Sequence, residues 1–267
     1  MSTKLEQILE QTRLGVTARM GAADHASLDR QAAAHRPRGF AANLGEAAKN
    51  RPAVIAELKK ASPSKGLIRS DFQAAELAVS LEQAGAAALS VLTNKEFFQG
   101  SLENLEAASQ AVRIPCLRKD FMVDPFQVME ARAYGADAIL LIVAAHTDAT
   151  LKLLRESARQ YGLDVLCEVH GREELARAID LGCDAIGVNS RNLHDFTVHP
   201  DTLLELAAFI PKDVVRVAES GISSSDEMLR LRAAGYDAFL IGEALMRQTD
   251  PGRTLAEMLG QFTATGA

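Results

Sequence analysis

Four glycines recur through this chain at nearly equal intervals, and each sits in the same kind of passage. Gly85, Gly135, Gly182 and Gly235 are 50, 47 and 53 residues apart. They lie in Ala84-Gly85-Ala86-Ala87-Ala88-Leu89, Tyr134-Gly135-Ala136-Asp137-Ala138-Ile139, Leu181-Gly182-Cys183-Asp184-Ala185-Ile186 and Ala234-Gly235-Tyr236-Asp237-Ala238-Phe239. Each has a helix-like stretch before it and an apolar run after it. Glycine takes the left-handed backbone that ends a helix, so each passage reads as a helix turning into a strand. Between these passages lie further apolar runs, Val54 to Leu58, Ile114 to Leu117, Val165 to Cys167 and Val214 to Ala218. Each period therefore holds two βα units, and four periods give eight. The predicted strand starts fall near residues 54, 87, 114, 138, 165, 185, 214 and 238. Eight strands alternating with helices predict an α/β fold, a parallel sheet closed as a (β/α)8 TIM barrel.

The 267 residues, 48% of them hydrophobic, suffice for one large core, so residues 1–267 are expected to form a single barrel domain. Apolar positions at Leu5, Ile8, Leu9 and Val16 predict a helix before the first strand. Residues 21–50 are rich in Ala and Arg with weak periodicity. Residues 1–50 are expected to be an N-terminal helical extension packed on the barrel. Asp124-Pro125 and Asp250-Pro251 pair a capping acid with proline at the first helical position, His199-Pro200-Asp201 is a weaker version, and Ser224-Ser225-Asp226-Glu227 fits a capping box.

A net charge of −6 argues against a basic nucleic-acid surface. The longest apolar stretch, Ala136 to Ala145, is too short to span a membrane. Lys4, Glu6, Glu10 and Arg13 stand where a secretory leader needs an apolar core, so a cytosolic location is expected. Cys116, Cys167 and Cys183 form no C-x-x-C pair and are expected to be reduced and mostly buried. His170 and His194 have no zinc-like spacing, and no G-x-G-x-x-G or P-loop follows a strand, so neither metal nor cofactor is expected.

Charged residues close the apolar runs. Glu57 and Lys59 end the first, Lys119 the third and Glu168 the fifth; Asn189 and Arg191 follow the sixth, and Glu219 and Ser220 the seventh. A barrel builds its site from the C-terminal strand ends, so these residues read as one polar site rather than a ring of structural ion pairs. Glu57 and Lys59, two apart, point to one face of a strand. Lys59 and Lys119 are candidates to donate protons or neutralise an anion, with a lowered pKa expected for a lysine in a partly desolvated site. Glu57, Glu168 and Glu219 are candidates to accept protons or hold the lysines. Gly221 and Gly242 follow strands seven and eight, where barrels bind phosphate through backbone N–H groups. Glu243 beside them must turn its carboxylate away. The polar loop Lys60-Ala61-Ser62-Pro63-Ser64-Lys65-Gly66 is expected to act as a movable flap. Phe97, Phe98 and Phe121 lie just past strand ends as candidates for an aromatic pocket.

These same segments resemble the indole-3-glycerol phosphate synthase family. The longest is Val54-Ile55-Ala56-Glu57-Leu58-Lys59-Lys60-Ala61-Ser62-Pro63-Ser64-Lys65-Gly66. It is joined, in order, by Leu92 to Ser101, Leu117 to Phe121, Cys167 to His170, Gly187 to Leu193, Ala218 to Ile222 and Leu240 to Met246. The resemblance covers about residues 4 to 262. It implies a decarboxylating and dehydrating carbon–carbon lyase of tryptophan biosynthesis. The substrate would be 1-(2-carboxyphenylamino)-1-deoxyribulose 5-phosphate, closed to an indole with loss of carbon dioxide and water and without a cofactor. It further implies Lys119 as acid in ring closure and Glu168, with Lys59 or Lys119, for dehydration. Glu57 would orient Lys119 or act as a second base. Asn189 would bind sugar hydroxyls and help hold Lys119. Arg191 and Ser62 would lie near the aryl carboxylate. Lys59, Gly221, Gly242 and Glu243 would surround the phosphate, and Glu219 and Ser220 complete the polar floor. Pro63, Phe97, Phe121 and Leu193 would make the aryl slot. The expected partner is this small phosphorylated molecule, not nucleic acid or membrane, and a monomer is expected.

Asn94 and Ser190 depart from the family pattern, and with no Trp in the chain any lid from the N-terminal helix falls to Leu5, Ile8 or Leu9. The alternatives are a Schiff-base aldolase using Lys59 or Lys119, a sugar-phosphate isomerase, and a non-catalytic phosphate-binding barrel.

Overall fold

The computed structural model describes residues 3–192 and 197–262. Eight parallel strands close into a barrel: β1 (Ala53–Leu58), β2 (Ala88–Leu92), β3 (Cys116–Lys119), β4 (Ala138–Ile142), β5 (Asp164–Val169), β6 (Ala185–Asn189), β7 (Val215–Glu219) and β8 (Ala238–Ile241). β8 returns to β1 with Ala238 opposite Ala53. The four repeat glycines all have positive φ, 98°, 84°, 69° and 111° in chain order, as the helix-ending role requires. Around the barrel run α4 (Ala74–Gln83), the one-turn α5 (Lys95–Phe98), α6 (Leu102–Ala111), α7 (Pro125–Ala133), α8 (Asp148–Gln160), α9 (Arg172–Leu181), α10 (Asp201–Ala207), α11 (Ser225–Ala233), α12 (Glu243–Met246) and α13 (Pro251–Gly260), after α1 to α3 of the extension. Asp124, Asp250 and Ser224 cap their helices as expected, whereas Pro200 caps α10 with no side-chain hydrogen bond.

Strand parity divides the core. Ile55, Leu117, Leu140, Leu166, Val217 and Leu240 point inward and pack with one another. Their neighbours Val54, Cys116, Ile139, Val165, Ala218 and Phe239 point outward and pack under the helices.

The N-terminal segment is more helical than its weak periodicity predicts. α1 (Lys4–Ala22) opens with a capping box between Thr3 and Glu6. α2 (His25–Ala34) is capped by Asp24 and buries only Ala32, so it carries almost no apolar stripe to read. α3 (Phe40–Ala48) sends fully buried Phe40 and Leu44 into the inward-facing cluster. α3 meets the N-terminal strand ends: the Asn43 amide donates to the Ala87 carbonyl at 2.6 Å, and the Ala41 N–H to Asp164 at 2.9 Å. Leu5, Ile8 and Leu9 of α1 join the same inward cluster. Between α2 and α3 a clamp fastens the segment to the barrel. The fully buried Asp137 carboxylate accepts from the Arg38 guanidinium at 2.6 Å, the Arg38 N–H at 2.8 Å and the Cys116 N–H at 2.6 Å, with His35 Nε2 3.1 Å away.

The cysteines correct an expectation. Cys167 and Cys183 are joined by a disulfide with 6.2 Å between their Cα atoms; only Cys116 is free. Cys167 lies on the outward face of β5, and the turn after α9 brings Cys183 back against it, a meeting that a separation of 16 residues does not announce. Closing a loop of that length removes about 3 kcal/mol of unfolded-chain entropy. Burial pushes the Cys116 thiol up to about 12.

Two outcomes follow. Protein purified without reductant and then denatured should titrate one thiol per chain; three would refute the disulfide. Asp137→Ala leaves Arg38 without its counter-ion and should lower stability by about 3 kcal/mol, read as a fall in the urea midpoint at unchanged slope.

Candidate active site

At the C-terminal strand ends the barrel opens into a cavity of about 410 Å³, a volume typical of small-molecule sites. Glu57, Lys119, Glu168 and Glu219 all line it. They come from β1, β3, β5 and β7, the alternate strands that supply one layer of a barrel interior. A layer that is apolar elsewhere in the barrel is charged here.

Lys119 is the centre of the layer. Its Nζ lies 3.1 Å from Glu168 Oε2 and 3.3 Å from Glu219 Oε2. Burial disfavours its charge, but Glu168, Glu219 and Glu57 outweigh burial and hold its pKa above the ordinary lysine value. The expected lowering is thereby reversed, because the neighbours are carboxylates rather than cations. Burial also opposes ionisation of Glu168. Lys119 and then His170 overcome it, leaving Glu168 well below the usual carboxylate range. Glu219 goes the other way: burial raises it, Lys119 only partly compensates, and the Glu168 charge raises it further. Two buried carboxylates share one ammonium, so one is ionised and the other holds its proton.

The pairings differ from expectation in two places. Glu57 faces Lys59, at 2.5 Å, instead of orienting Lys119 directly. Burial pushes the Glu57 carboxyl up, but the charges of Lys59 and Lys119 bring it below its ordinary value. Asn189 acts on Glu168, helping to lower its carboxyl pKa, while its Oδ1 accepts from Ser220 Oγ at 2.8 Å and from the Arg191 N–H at 2.9 Å.

Two glycines admit this layer. On β6 the inward position beside Glu219 is Gly187, and a Cβ there would overlap Glu219 Oε1. A Cβ at Gly242 would overlap the Glu57 carboxylate. Ser220 and Gly221 both take positive φ, 69° and 74°, turning the chain sharply after β7. Glu243 turns its carboxylate to Arg247 Nε at 2.9 Å and toward Lys65 Nζ at 3.9 Å, so it is neutralised and not aimed at an anion.

Lys59, Ser62, Pro63, Phe121, Asn189, Arg191, Ser220, Gly221, Gly242 and Glu243 also line the cavity. Phe97 does not. Its neighbour Phe98 takes the place, 6.4 Å from Phe121 between ring centroids, because successive residues of the one-turn α5 point in different directions. Leu193 and His194 lie outside the described residues. Leu5 and Ile8 of α1 form part of the wall. The segment Lys60 to Gly66 is a small hairpin, Ala61–Ser62 against Gly66–Leu67. Sequence reasoning missed Arg247, whose spacing of four from Glu243 on a short helix was the available signal, and His170, whose meaning depends on Glu174 one helical turn away.

The sequence profile of the family described as "Indole-3-glycerol phosphate synthase" matches residues 5–258. The chain belongs to the indole-3-glycerol phosphate synthase family. It is 61% identical over 260 residues to the indole-3-glycerol phosphate synthase of Koribacter versatilis (strain Ellin345), covering 97% of this chain and all of the relative. It is 48% identical over 260 residues to that of Dechloromonas aromatica (strain RCB), covering 97% of this chain and 99% of the relative. Among solved structures, thiamine phosphate pyrophosphorylase from Pyrococcus furiosus superposes with a TM-score of 0.61 at 18% identity, over 82% of this chain and 99% of that one, a likeness of fold. Among the described residues, no helix is long and apolar enough to cross a membrane.

The raised Glu219 carries a prediction about pH. Its folded pKa lies above its ordinary 4.5, so the fold favours the protonated acid. The penalty for ionising it is absent below that ordinary value and grows as pH rises through the folded one. Glu219→Gln is neutral throughout. Its melting temperature relative to wild type should therefore climb between about pH 5 and pH 9; a constant difference would sink the assignment.

Proposed function

We propose that this chain is an indole-3-glycerol phosphate synthase, closing the ring of 1-(2-carboxyphenylamino)-1-deoxyribulose 5-phosphate with loss of carbon dioxide and water. The observation that carries the reading is the ammonium of Lys119 held between Glu168 and Glu219 at the bottom of a cavity with apolar walls. In the first step the ring carbon bearing the carboxylate attacks the ketone, and Lys119 gives its proton to the ketone oxygen, making a hydroxyl. Carbon dioxide then leaves and its bonding electrons return to the ring system. In the last step Glu168, ionised, takes the proton from the carbon next to nitrogen, while a second proton converts the hydroxyl to water. Lys59, held by Glu57, is the second acid and also supplies positive charge toward the phosphate. Two protons are added to oxygen and one is removed from carbon, so the carboxylate substrate takes up one proton per turnover.

The remaining walls suit the remaining groups. Gly221 and Gly242 offer backbone N–H groups to the phosphate, with Arg247 neutralising Glu243. Ser62 and Arg191 stand for the aryl carboxylate, Asn189 and Ser220 for sugar hydroxyls, and protonated Glu219 for a neutral donor on the floor. Pro63, Phe98, Phe121, Leu5 and Ile8 form the aryl slot, joined in our reading by Leu193. A Schiff-base aldolase is disfavoured because a lysine locked between carboxylates, with its pKa raised, is a poor nucleophile. Burial of Phe40 and Leu5 in the barrel's own inward cluster supports reading residues 1–267 as one domain.

The test is turnover of this substrate in buffer containing chelator, followed by indole fluorescence, which the protein does not obscure because it lacks Trp. Lys119→Ala should lower kcat by about 100-fold or more. A folded wild type inert at millimolar substrate would remove the function.

A further inference from the structure

Glu168 and Glu219 present themselves to Lys119 almost alike. Their Oε2 atoms lie 3.1 Å and 3.3 Å from its Nζ, and their side chains are 2% and 1% exposed. Distance and burial therefore do not decide which of them keeps the shared proton. The second oxygen of each does. Glu168 Oε1 lies 3.5 Å from Nε2 of His170, which follows it by two residues and leaves the strand on the same side. Glu219 Oε1 sits in the space that Gly187 leaves open and is buried with no hydrogen-bond partner among the described residues. Ionisation costs less where both oxygens face positive groups, and that is Glu168.

Geometry also holds the neighbour of Glu168 as a cation. His170 Nδ1 lies 3.1 Å from Oε2 of Glu174, in the first turn of α9. That oxygen also accepts the His170 main-chain N–H at 2.9 Å. The ring thus has a carboxylate facing each nitrogen, and it can donate from both only as imidazolium. Nε2 is buried and makes no full hydrogen bond among the described residues, so what it brings to Glu168 is charge. His170 is not among the residues lining the cavity.

We propose that His170, held by Glu174, is a positioning residue that assigns the two carboxylates their roles: its charge keeps Glu168 as the base and leaves the shared proton on Glu219. The inference rests on the reaction read above, in which Glu168 takes the proton from carbon. No proton is gained or lost in the choice; the same one resides on either carboxyl. Without the imidazolium the two acids compete for it, and whenever Glu168 holds it the base is missing.

The charged groups facing His170 are Glu168 on its own strand, Glu174 on α9 and Glu219 on β7, with Lys119 of β3 beyond Glu168. Burial disfavours the imidazolium, but the Glu174 hydrogen bond and the Glu168 charge more than offset it, so the ring stays protonated to higher pH than an ordinary histidine. Burial likewise opposes the Glu168 charge, and Lys119, His170 and Asn189 bring that group to about 2. Burial takes Glu219 up to about 8, where the Glu168 and Glu57 charges act with it against Lys119. A histidine that only ties β5 to α9 would need Nδ1 and its main-chain N–H. Nε2 set against the base is what that simpler role leaves unexplained.

The test has one readout without turnover and one with it, both on the full-length protein. The His170 imidazole is titrated by nuclear magnetic resonance, its signal assigned by its loss in His170→Gln. In the wild type it should titrate above the ordinary 6.5. Coupling between two charges is reciprocal, so Glu168→Gln should lower that value by about one pH unit or more, and Glu219→Gln, which removes a neutral acid, by less than about 0.3. In turnover, His170→Gln should lower kcat at pH 7 by about tenfold with KM within about twofold of wild type, since one pKa unit is tenfold in population. The deficit should close above about pH 9, where both carboxylates are ionised with or without His170. Glu174→Gln should match the wild type near pH 5.5, where the imidazole is charged unaided, and fall about threefold behind near pH 7.5. A His170 that titrates at or below 6.5, a value that follows Glu219 instead of Glu168, or kcat deficits that do not change with pH overturn the proposal. Should His170→Gln prove unfolded by circular dichroism, Glu174→Gln decides: one imidazole titrating lower, with a deficit confined to neutral pH, supports the assignment, and neither overturns it. A wild type that does not turn over overturns the reaction, while the titrations still report which carboxylate bears the charge.

Discussion

A lysine ammonium taken out of water is costly unless its partners are close and correctly charged, and the arrangement around Lys119 meets that condition. Glu168 and Glu219 approach it from two neighbouring odd-numbered strands, and Glu57 adds a longer-range attraction from a third. Counting Lys59, two ammonium groups face three carboxylates. The proton kept by Glu219 brings the cluster to neutrality, so the site has no strong field of its own before an anionic substrate enters. That economy depends on burial. In an open, hydrated mouth both carboxylates would ionise and the lysine would have no reason to retain its proton so strongly.

The barrel makes such a cluster inexpensive in geometry. Alternate strands contribute the side chains of one interior layer, so four residues far apart in the chain, the nearest two separated by 49 positions, arrive at the same height. What the regular barrel cannot supply is room. Gly187 and Gly242 provide it by omitting a side chain where Glu219 and Glu57 must lie. Polar residues occupy the top layer, and below it the inward positions return to Ile55, Leu117, Leu166 and Val217.

The architecture was legible in the chain because it repeats. Gly85, Gly135, Gly182 and Gly235 each perform one local task, and their spacing counts the βα units. Membership of the charged layer was legible too, since a charge closing an apolar run has few other reasons to be there. Pairing within the layer was not legible. Glu57 bonds Lys59 through local strand spacing, whereas Lys119 finds its partners across the barrel, 49 and 100 residues away. Phe97 and Phe98 are chemically identical and only the phase of a single helical turn separates them. Cys167 and Cys183 pair because of where α9 returns the chain, and α2 hid because a helix with one buried residue leaves no hydrophobic period. Asn189 and His170 both act on Glu168, a convergence that depends on side-chain direction rather than on spacing.

The N-terminal fifty residues touch both ends of the barrel. Phe40 and Leu44 plug the end where strands begin, and Leu5 and Ile8 wall the mouth where they finish. During synthesis this segment leaves the ribosome before the barrel, yet its docking surfaces do not exist until much later. α3 contacts β7 as well as β1 and β2, and the ring closes only when β8 reaches β1 across 185 residues, from Ala53 to Ala238. Made before the barrel, the segment is therefore among the last to find its place, and it must wait exposed, with Phe40, Leu44 and the apolar side of α1 uncovered. That wait explains the character of the segment. Its apolar residues are few and separated by Ala, Arg and Gln, a composition that stays dissolved as single helices until the barrel is there to receive it.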